Sequence, residues 1–526
     1  MPLASVISSA DKALQLEPGN PAARSVKSLA LIRAGRYSEA EEILVRLVKE
    51  VPEEVNFLRN LGAAVFFQRR YPDALQFLEK AVHLDPENLD NAIRYAQCRV
   101  LNDETEHAED FFRPIMQKHP ENGDVLHEYA RILLHLSRYK DALPYAEVAL
   151  SDKPSDVTRQ LTISSVLLKL GRVTEAHDIL VRLDRQCRGQ SASVQLNLAT
   201  AKFALGDLEN AWSCYKARFD AEGSLVERRI YNAPEWDGSA VDRLLVWADQ
   251  GLGDILQCAA ILPELSDCVG RIILEVEERF VPYFQAALPD IHCRPYSVKA
   301  GDKPKTTSNT DYDCVYCLSD IPGLLRPNIG SFSTERRRVY QIDRELVRSY
   351  RSRIPEADRK SVVGLSWRSR LLGARRARFY LTAEQVLPVL ETKEVVFVNL
   401  QYGATQSELD LLGEAAPNRF HFLKDLDLFN DISGAAALTA ACDIVVSPNS
   451  SVADMAGVLG VPTLRFGGPT PKLQLGQKRP PWFPHVNFLQ MDAANPAADI
   501  VPRIKTALEE ELKHTSADRY LERLHA

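Results

Sequence analysis

Residues 55–88 read VNFLRNLGAAVFFQRRYPDALQFLEKAVHLDPEN, and this stretch decides the first fold of the chain. Leu61 and Gly62 hold positions of one helix, while Ala74, Leu78, Ala81 and Pro86 hold positions of a second. A small residue lets the second helix close on the first, a bulkier apolar residue four positions later fills the gap, and proline ends the helix. The pattern repeats along the chain. Ala40, Ala74, Ala108, Ala142 and Ala176 recur every 34 residues, and Leu44, Leu78, Phe112, Ala146 and Leu180 occupy the bulky slot. Pro52, Pro86, Pro120 and Pro154 follow the alanine in most units.

This is the tetratricopeptide period, and it predicts an α solenoid over residues 1–222 with about six repeats. Ala13 and Pro18 fit the second helix of a unit whose first helix is largely missing, which reads as a cap. At the far end the phase slips by one residue, so that Ala211, Tyr215 and Arg218 take late positions of a last unit. Stacked repeats present a concave face suited to extended partners, so a protein partner is expected there.

The length of 526 residues exceeds what one core supports, and roughly three domains are expected. A net charge of -7 with a pI near 6.0 offers no bulk attraction to nucleic acid or an anionic membrane. The longest apolar runs fall short of the ~20 residues that span a bilayer, and no basic segment followed by an apolar one opens the chain, so a soluble, cytoplasmic protein is expected. The nine cysteines are scattered apart from Cys314 and Cys317, which read as two thiols of one strand rather than as a metal or redox pair. No structural zinc and no disulfide framework are expected, and the eleven histidines lack metal-ligand spacing.

From about residue 240 short β-branched runs alternate with helical stretches, the rhythm of parallel α/β sheets. RLLVWA from 243, RIILEV from 271 and YDCVYC from 312 form one region. SVVGLSW from 361, VVFVNLQ from 395, DIVVS from 443 and VPTLRF from 461 form another. A polar, basic stretch from about 330 to 360 separates them, so two Rossmann-like domains are placed at 223–355 and 356–526, with Pro355 near the linker. A ligand is expected in the cleft at the strand ends.

The sharpest chemical signal is WADQGLGDILQCAAILPEL, residues 247–265, where a strand ends at Ala248 and the turn Gln250–Asp254 opens a helix. Gly251 and Gly253 let the backbone turn tightly beside a ligand. Asp254 at the helix start is either a cap or a carboxylate held in a cleft as a general base. The turn is not a dinucleotide fingerprint, because the third glycine is absent.

PEWDG from 234, QGLGDILQ from 250 and SPNSSVADMAGVLGVPTL from 447 together resemble bacterial tetratricopeptide proteins fused to a GT-B glycosyltransferase module. The module is similar to the heptosyltransferases, and FVNLQYG at 397–403 with PWFP at 481–484 looks most like the flagellin-modifying branch. The resemblance covers nearly the whole chain. It implies an α solenoid followed by a GT-B fold, and an inverting transfer of sugar from a nucleotide-sugar to a protein recruited by the solenoid. Flagellin is the implied acceptor and a nonulosonic acid on CMP the implied donor. Asp254 matches the catalytic base of the pattern. Neither a cofactor nor a metal is implied, because fixed donors take up the charge of the departing phosphate.

Two segments are candidates for that anion role. WRSRLLGARRARFY from 367 carries Arg368, Arg370, Arg375, Arg376 and Arg378 directly after a strand, where guanidinium forks suit phosphate oxygens, with a solvated charged loop as the bland reading. SPNSSVADMAGVLG places Asn449, Ser450 and Ser451 at a helix start, facing a phosphate or capping the helix. Where many relatives carry an aspartate and a histidine, this chain has Asn449 and Asp454. That departure is the best support for a different class of function, a scaffold with a degenerate GT-B module. An epimerase or hydrolase on the same fold is a second alternative.

Gln401 and Tyr402 follow a strand end and are read as contacts to a base or sugar, with loop packing the alternative for Tyr402. Asp431 either contacts the donor or caps the helix that follows. Trp482 reads as a packing anchor or a stacking platform, and Trp236 as the entry to the first sheet.

Overall fold

Proline and asparagine set the ends of the solenoid helices. The computed structural model describes residues 3–221, 226–301, 311–333, 339–369, 377–491 and 496–514. The chain divides into two compact units, one reaching Val166 and one beginning at Leu167. In the first unit lie α1 (Leu3–Leu16), α2 (Pro21–Arg33), α3 (Tyr37–Glu50), α4 (Val55–Phe67), α5 (Tyr71–Leu84), α6 (Leu89–Leu101), α7 (Thr105–Lys118), α8 (Gly123–His135) and α9 (Tyr139–Asp152), with α10 (Val157–Lys169) running out of it. The residues that precede Pro52, Pro86, Pro120 and Pro154 sit at φ -134, -139, -127 and -133, extended as a following proline demands, and each closes a helix. Asn20, Asn88 and Asn122 then cap the helices that follow, each accepting from a backbone N–H of the first turn.

The spacing of small residues is explained by contact. Ala40, Ala74, Ala108 and Ala142 are fully buried between paired helices, and Leu44, Leu78 and Phe112 are buried with them. A Cβ placed on Gly62 would sit 2.7 Å from Leu78, so α4 approaches α5 as closely as glycine allows. His127 on α8 bonds through Nε2 to the Thr162 hydroxyl at 2.9 Å. Burial, with Arg131 and Arg159 nearby, pushes its imidazole down to about 4.

The second unit opens with α11 (Val173–Gln186), α12 (Ala192–Leu205) and α13 (Leu208–Tyr215). Arg188 and Gly189, at φ 54 and 70, carry the extra residue of the slipped phase between α11 and α12. Two parallel sheets follow. The first contains β1 (Val241–Trp247), β2 (Val269–Val276), β3 (His292–Pro295) and β4 (Cys314–Cys317) in the order β3-β2-β1-β4. The second contains β5 (Ser361–Leu365), β6 (Val395–Asn399), β7 (Phe420–His421), β8 (Ile444–Pro448), β9 (Thr463–Gly467) and β10 (Val486–Gln490) in the order β10-β9-β8-β5-β6-β7. Every pairing is parallel.

Alternation along each strand divides the core between two faces. Leu244 and Val246 of β1 share one apolar cluster with Val396, Val398 and Val445 of the second sheet, so a continuous core joins the sheets. Leu245 and Trp247 face the other way, toward Tyr231 and Tyr312. The helices that position the site are α14 (Leu252–Ala259) after β1 and, later, α17 (Arg344–Ser352), α20 (Ile432–Ala440), α21 (Ser451–Val458) and α22 (Pro471–Gln474). The intervening α15 (Val281–Ala287), α16 (Ile321–Leu325), α18 (Ala383–Val386) and α19 (Gln406–Ala415) cover the sheet faces. α17, ahead of the expected linker at Pro355, packs on α20, and Arg351 pairs with buried Asp443 at 2.9 Å. The last helix, α23 (Pro496–Lys513), stays on the second sheet, where Ile500, Ile504 and Leu508 join its core. Among the described residues, no helix is long and apolar enough to cross a membrane.

Candidate functional site

In an open parallel sheet the crevice for a ligand lies where neighbouring connections leave in opposite directions, at the carboxyl ends of the two strands. In the first sheet that point falls between β1 and β4, and in the second between β5 and β8. The loop after β1 carries Asp249, Gln250, Gly251 and Gly253 into α14. The loop after β8 carries Asn449 and Ser450 into α21. α14 packs directly against α21, which brings the two helix starts together.

The two glycines of the first turn do different work. Gly251, at φ -72 and ψ 171, is the residue before the helix, and a Cβ there would meet nothing within 4 Å. Gly253 is in close contact: a Cβ would lie 2.4 Å from a carboxylate oxygen of Asp454 on α21. Asp254 follows in the first turn of α14, and its side chain keeps 36% exposure. It makes a 2.6 Å ion pair with Lys472, which α22 contributes after β9 of the second sheet. The Lys472 ammonium also donates to the Tyr215 hydroxyl at 3.1 Å, and Gln250 donates to the same hydroxyl at 3.3 Å. Burial works against the charge of Lys472, but Asp254 and Tyr215 override it and hold the ammonium well above the ordinary lysine value.

Tyr215 is the last residue of the solenoid helix α13, and the segment around it is bound to both sheets. Arg218, 2% exposed, pairs with Asp249 at 2.8 Å and with Asp320 at 2.6 Å, the latter just after β4. Its guanidinium also donates to Cys317 at 3.1 Å, so the crevice of the first sheet is filled by a solenoid side chain. Trp212 donates to the Arg326 carbonyl at 3.0 Å and meets the Trp482 ring edge-on at 6.4 Å. Trp482 in turn donates to the Lys472 carbonyl at 3.3 Å, which makes it the packing anchor behind the lysine.

On the second sheet, Arg465 of β9 organises the turn at 449–454. It donates to Asp454 at 2.6 Å and, through Nε, to the side-chain oxygen Oδ1 of Asn449 at 2.8 Å, and the Asn449 side-chain amide donates in turn to the Thr470 hydroxyl at 2.9 Å. Burial lifts the Asp454 carboxyl above its ordinary value, while Arg465 pulls it down. Gln257 of α14 approaches the same carboxylate at 3.4 Å. Ser450 precedes α21 without capping it and meets the Ser447 hydroxyl at 3.2 Å, and Ser451 is the first helical residue.

Gln401 and Arg368 face a different duty. The Gln401 side-chain oxygen accepts from the Ser366 hydroxyl and from the backbone of Trp367 and Arg368 at 3.1, 3.0 and 2.9 Å. It therefore braces the loop after β5. Arg368 forks onto Glu408 at 2.9 and 2.6 Å and bonds the Gly403 carbonyl at 3.0 Å. Burial alone would raise the Glu408 carboxyl, yet Arg368 and the Thr405 backbone hold it down to about 2. Tyr402 meets the Ser369 hydroxyl at 3.2 Å and leans on Phe429. Arg370, Arg375 and Arg376 lie outside the described residues. Asp431 caps α20 through the Gly434 N–H at 2.8 Å, and Trp236, hydrogen-bonded to Val315 at 2.9 Å, anchors the entry to the first sheet. Among the described residues, no group of three or more His, Cys, Asp or Glu side chains is placed to hold a metal ion.

The structure thus brings Asp254, Gln250, Gly253 and Asp454 into one cluster, and sets Gln401, Tyr402 and Arg368 together at the end of β5. Lys472, Arg465 and Tyr215 complete the first cluster without having been singled out as site residues from sequence. The signal for Lys472 was the position of GPTPK just past the carboxyl end of β9.

Comparison with known proteins identifies the repeats. Two tetratricopeptide-repeat family models match residues 10–88 and 68–121. Protein FlbA of Caulobacter vibrioides is 26% identical over 475 residues, covering 87% of this chain and 73% of that protein. A tetratricopeptide repeat protein from Parabacteroides merdae aligns over 41% of this chain and 84% of its own at 16% identity and a TM-score of 0.36. A thermophilic tetratricopeptide protein from Thermus thermophilus aligns over 35% and 98% at 16% identity and a TM-score of 0.32. The chain therefore carries tetratricopeptide repeats in its N-terminal region, continues as a parallel-sheet α/β region, and is related to protein FlbA over most of its length.

Proposed function

We propose that the chain is a protein O-glycosyltransferase whose two parallel sheets act as the halves of a GT-B module. The observation that carries this reading is the half-exposed Asp254 carboxylate at the start of α14, set against the Lys472 ammonium and the α21 turn of the other sheet. In this reading Asp254 accepts the proton of an acceptor hydroxyl as that oxygen attacks the anomeric carbon, a role worth typically ~10²–10⁴-fold. The anomeric C–O bond to the nucleotide breaks on the opposite face, and its electron pair leaves on the phosphate, giving inversion. Cationic and backbone donors around α21 take up that charge, without a metal or cofactor.

The acceptor is a protein bound by the repeats, with flagellin as the named candidate and a CMP-linked nonulosonic acid as the candidate donor. The relation to protein FlbA spans both the repeats and the α/β region, as a fused enzyme requires. The experiment is intact-mass analysis of flagellin after incubation with CMP-nonulosonic acid, alongside calorimetric titration with CMP, UDP, GDP and ADP. A mass increase that disappears in Asp254→Ala, with nucleotide binding retained, supports the reading. Full transfer by Asp254→Ala removes the assignment of the base.

A second reading, a scaffold with a degenerate module, is favoured by one observation. Asn449 and Asp454 are both engaged by Arg465, inside the protein. Binding of none of the four nucleotides, with retained protein binding by the repeats, selects the scaffold.

A further inference from the structure

The cations around the site differ in how firmly they are held. Arg218 is buried between two carboxylates, Arg465 between Asp454 and Asn449, and Arg368 is forked on Glu408. Each of these guanidinium groups is fixed by planar, multiple bonds. Among the described residues Lys472 has one carboxylate partner, Asp254, and that partner keeps 36% exposure. A lysine is a point charge on a flexible stem, so its three N–H donors redirect with little rearrangement of the backbone. Two of the three are spent on Asp254 and Tyr215.

The pairing also bears on Asp254. A carboxylate oxygen held at 2.6 Å by an ammonium has a lone pair committed to that contact. A general base in this place works best once the ammonium has gone elsewhere.

Resting on the glycosyl-transfer reading, we propose that Lys472 is the anion-binding residue for the nucleotide phosphate, parked at rest on Asp254 and Tyr215, and that its transfer to the phosphate frees the Asp254 carboxylate. Phosphate and Asp254 then compete for one ammonium, and nucleotide binding readies the base before the acceptor arrives. Tyr215 positions the lysine, because its ring lies 4.8 Å under the ammonium and its hydroxyl stays hydrogen-bonded to Gln250. Tyr215 belongs to the last solenoid helix, so the repeat array contributes a side chain to the chemistry as well as a surface.

Competition makes an uncommon prediction. Removing the charge of Asp254 should tighten nucleotide binding, because the ammonium no longer has to leave a carboxylate. The test is calorimetric titration of full-length protein with whichever of CMP, UDP, GDP and ADP the unsubstituted chain binds. Asp254→Asn is expected to bind about three- to tenfold tighter, Lys472→Met about tenfold weaker or worse, and the double variant like Lys472→Met alone; tenfold corresponds to about 1.4 kcal/mol. A purely structural Asp254–Lys472 pair predicts no tightening in Asp254→Asn. Unchanged or weaker binding by Asp254→Asn overturns the proposal and leaves the glycosyltransferase reading standing. If Lys472→Met does not fold, the Asp254→Asn titration decides alone. Binding of no nucleotide by the unsubstituted chain removes the glycosyl-transfer reading, and this inference with it.

Discussion

Gly251 and Gly253 are two residues apart in one turn, yet alanine should be tolerated at the first and not at the second. At Gly253 the added carbon would sit 2.4 Å from a carboxylate oxygen of Asp454, with the Ser451 backbone at 3.6 Å. Asp454 is not a free side-chain end that swings aside, because it is 5% exposed and ion-paired to Arg465 at 2.6 Å. Overpacking a filled site costs about 1–3 kcal/mol, and loosening a buried pair pushes toward the upper end. Helix propensity returns about 0.5–1 kcal/mol when glycine becomes alanine inside a helix. The net expectation for Gly253→Ala is a loss of about 2 kcal/mol, whereas Gly251→Ala, with an ordinary φ and open space, should stay within about 0.5 kcal/mol. All five tryptophans lie in the second compact unit, so urea unfolding followed by tryptophan fluorescence reports on it directly. In an Asp454→Ala background the new carbon has room, and the cost of Gly253→Ala should fall by more than 1 kcal/mol. Equal costs at the two glycines, or no coupling to Asp454, would refute the argument that close approach of α14 and α21 selects Gly253.

Two further predictions concern pH. His127 is held at about 4, below its ordinary 6.5, so the neutral ring is the form the fold prefers. Its contribution is complete above pH 6.5 and is lost as pH falls toward 4, at most about 3 kcal/mol by linkage. His127→Gln should flatten that acid slope in urea unfolding followed by circular dichroism. Glu408, held at about 2, contributes above its ordinary carboxylate range and loses that contribution as pH falls toward 2. Arg368→Gln should therefore cost about 2 kcal/mol at neutral pH and little near pH 2. Trp367, which donates to Glu408 at 3.2 Å, provides the fluorescence readout.

Much of the candidate site was legible because strand ends announce themselves. Asp254 and the Asn449–Ser451 turn follow apolar runs that had to be buried parallel strands, and both do lie at the ends of strands, β1 and β8. The edge strands β3, β7 and β10 carry no such signal, since His292–Pro295, Phe420–His421 and Val486–Gln490 are short and half polar, as strands with one neighbour are free to be. Gln401 and Arg368 had the right positions for ligand contacts, but position does not tell whether a polar side chain faces a ligand or a neighbour. Three donors converging on Gln401 and a carboxylate opposite Arg368 are facts of the fold.

The repeat array was determined by the sequence alone because each repeat packs on the next in the chain. A fully buried Ala74 against α4 and an extended residue before Pro86 are local consequences of residue size and backbone sterics. The apolar runs determined two parallel sheets for the same reason, since a strand covered on both faces has no polar alternation. The tertiary structure decided the partners of the charges. Asp254 meets Lys472 across 218 residues of chain, and Tyr215 meets the same lysine across 257. Such pairings depend on how α13, α14 and α22 come together in the fold, and one lysine placed by long-range packing leaves no period in a sequence.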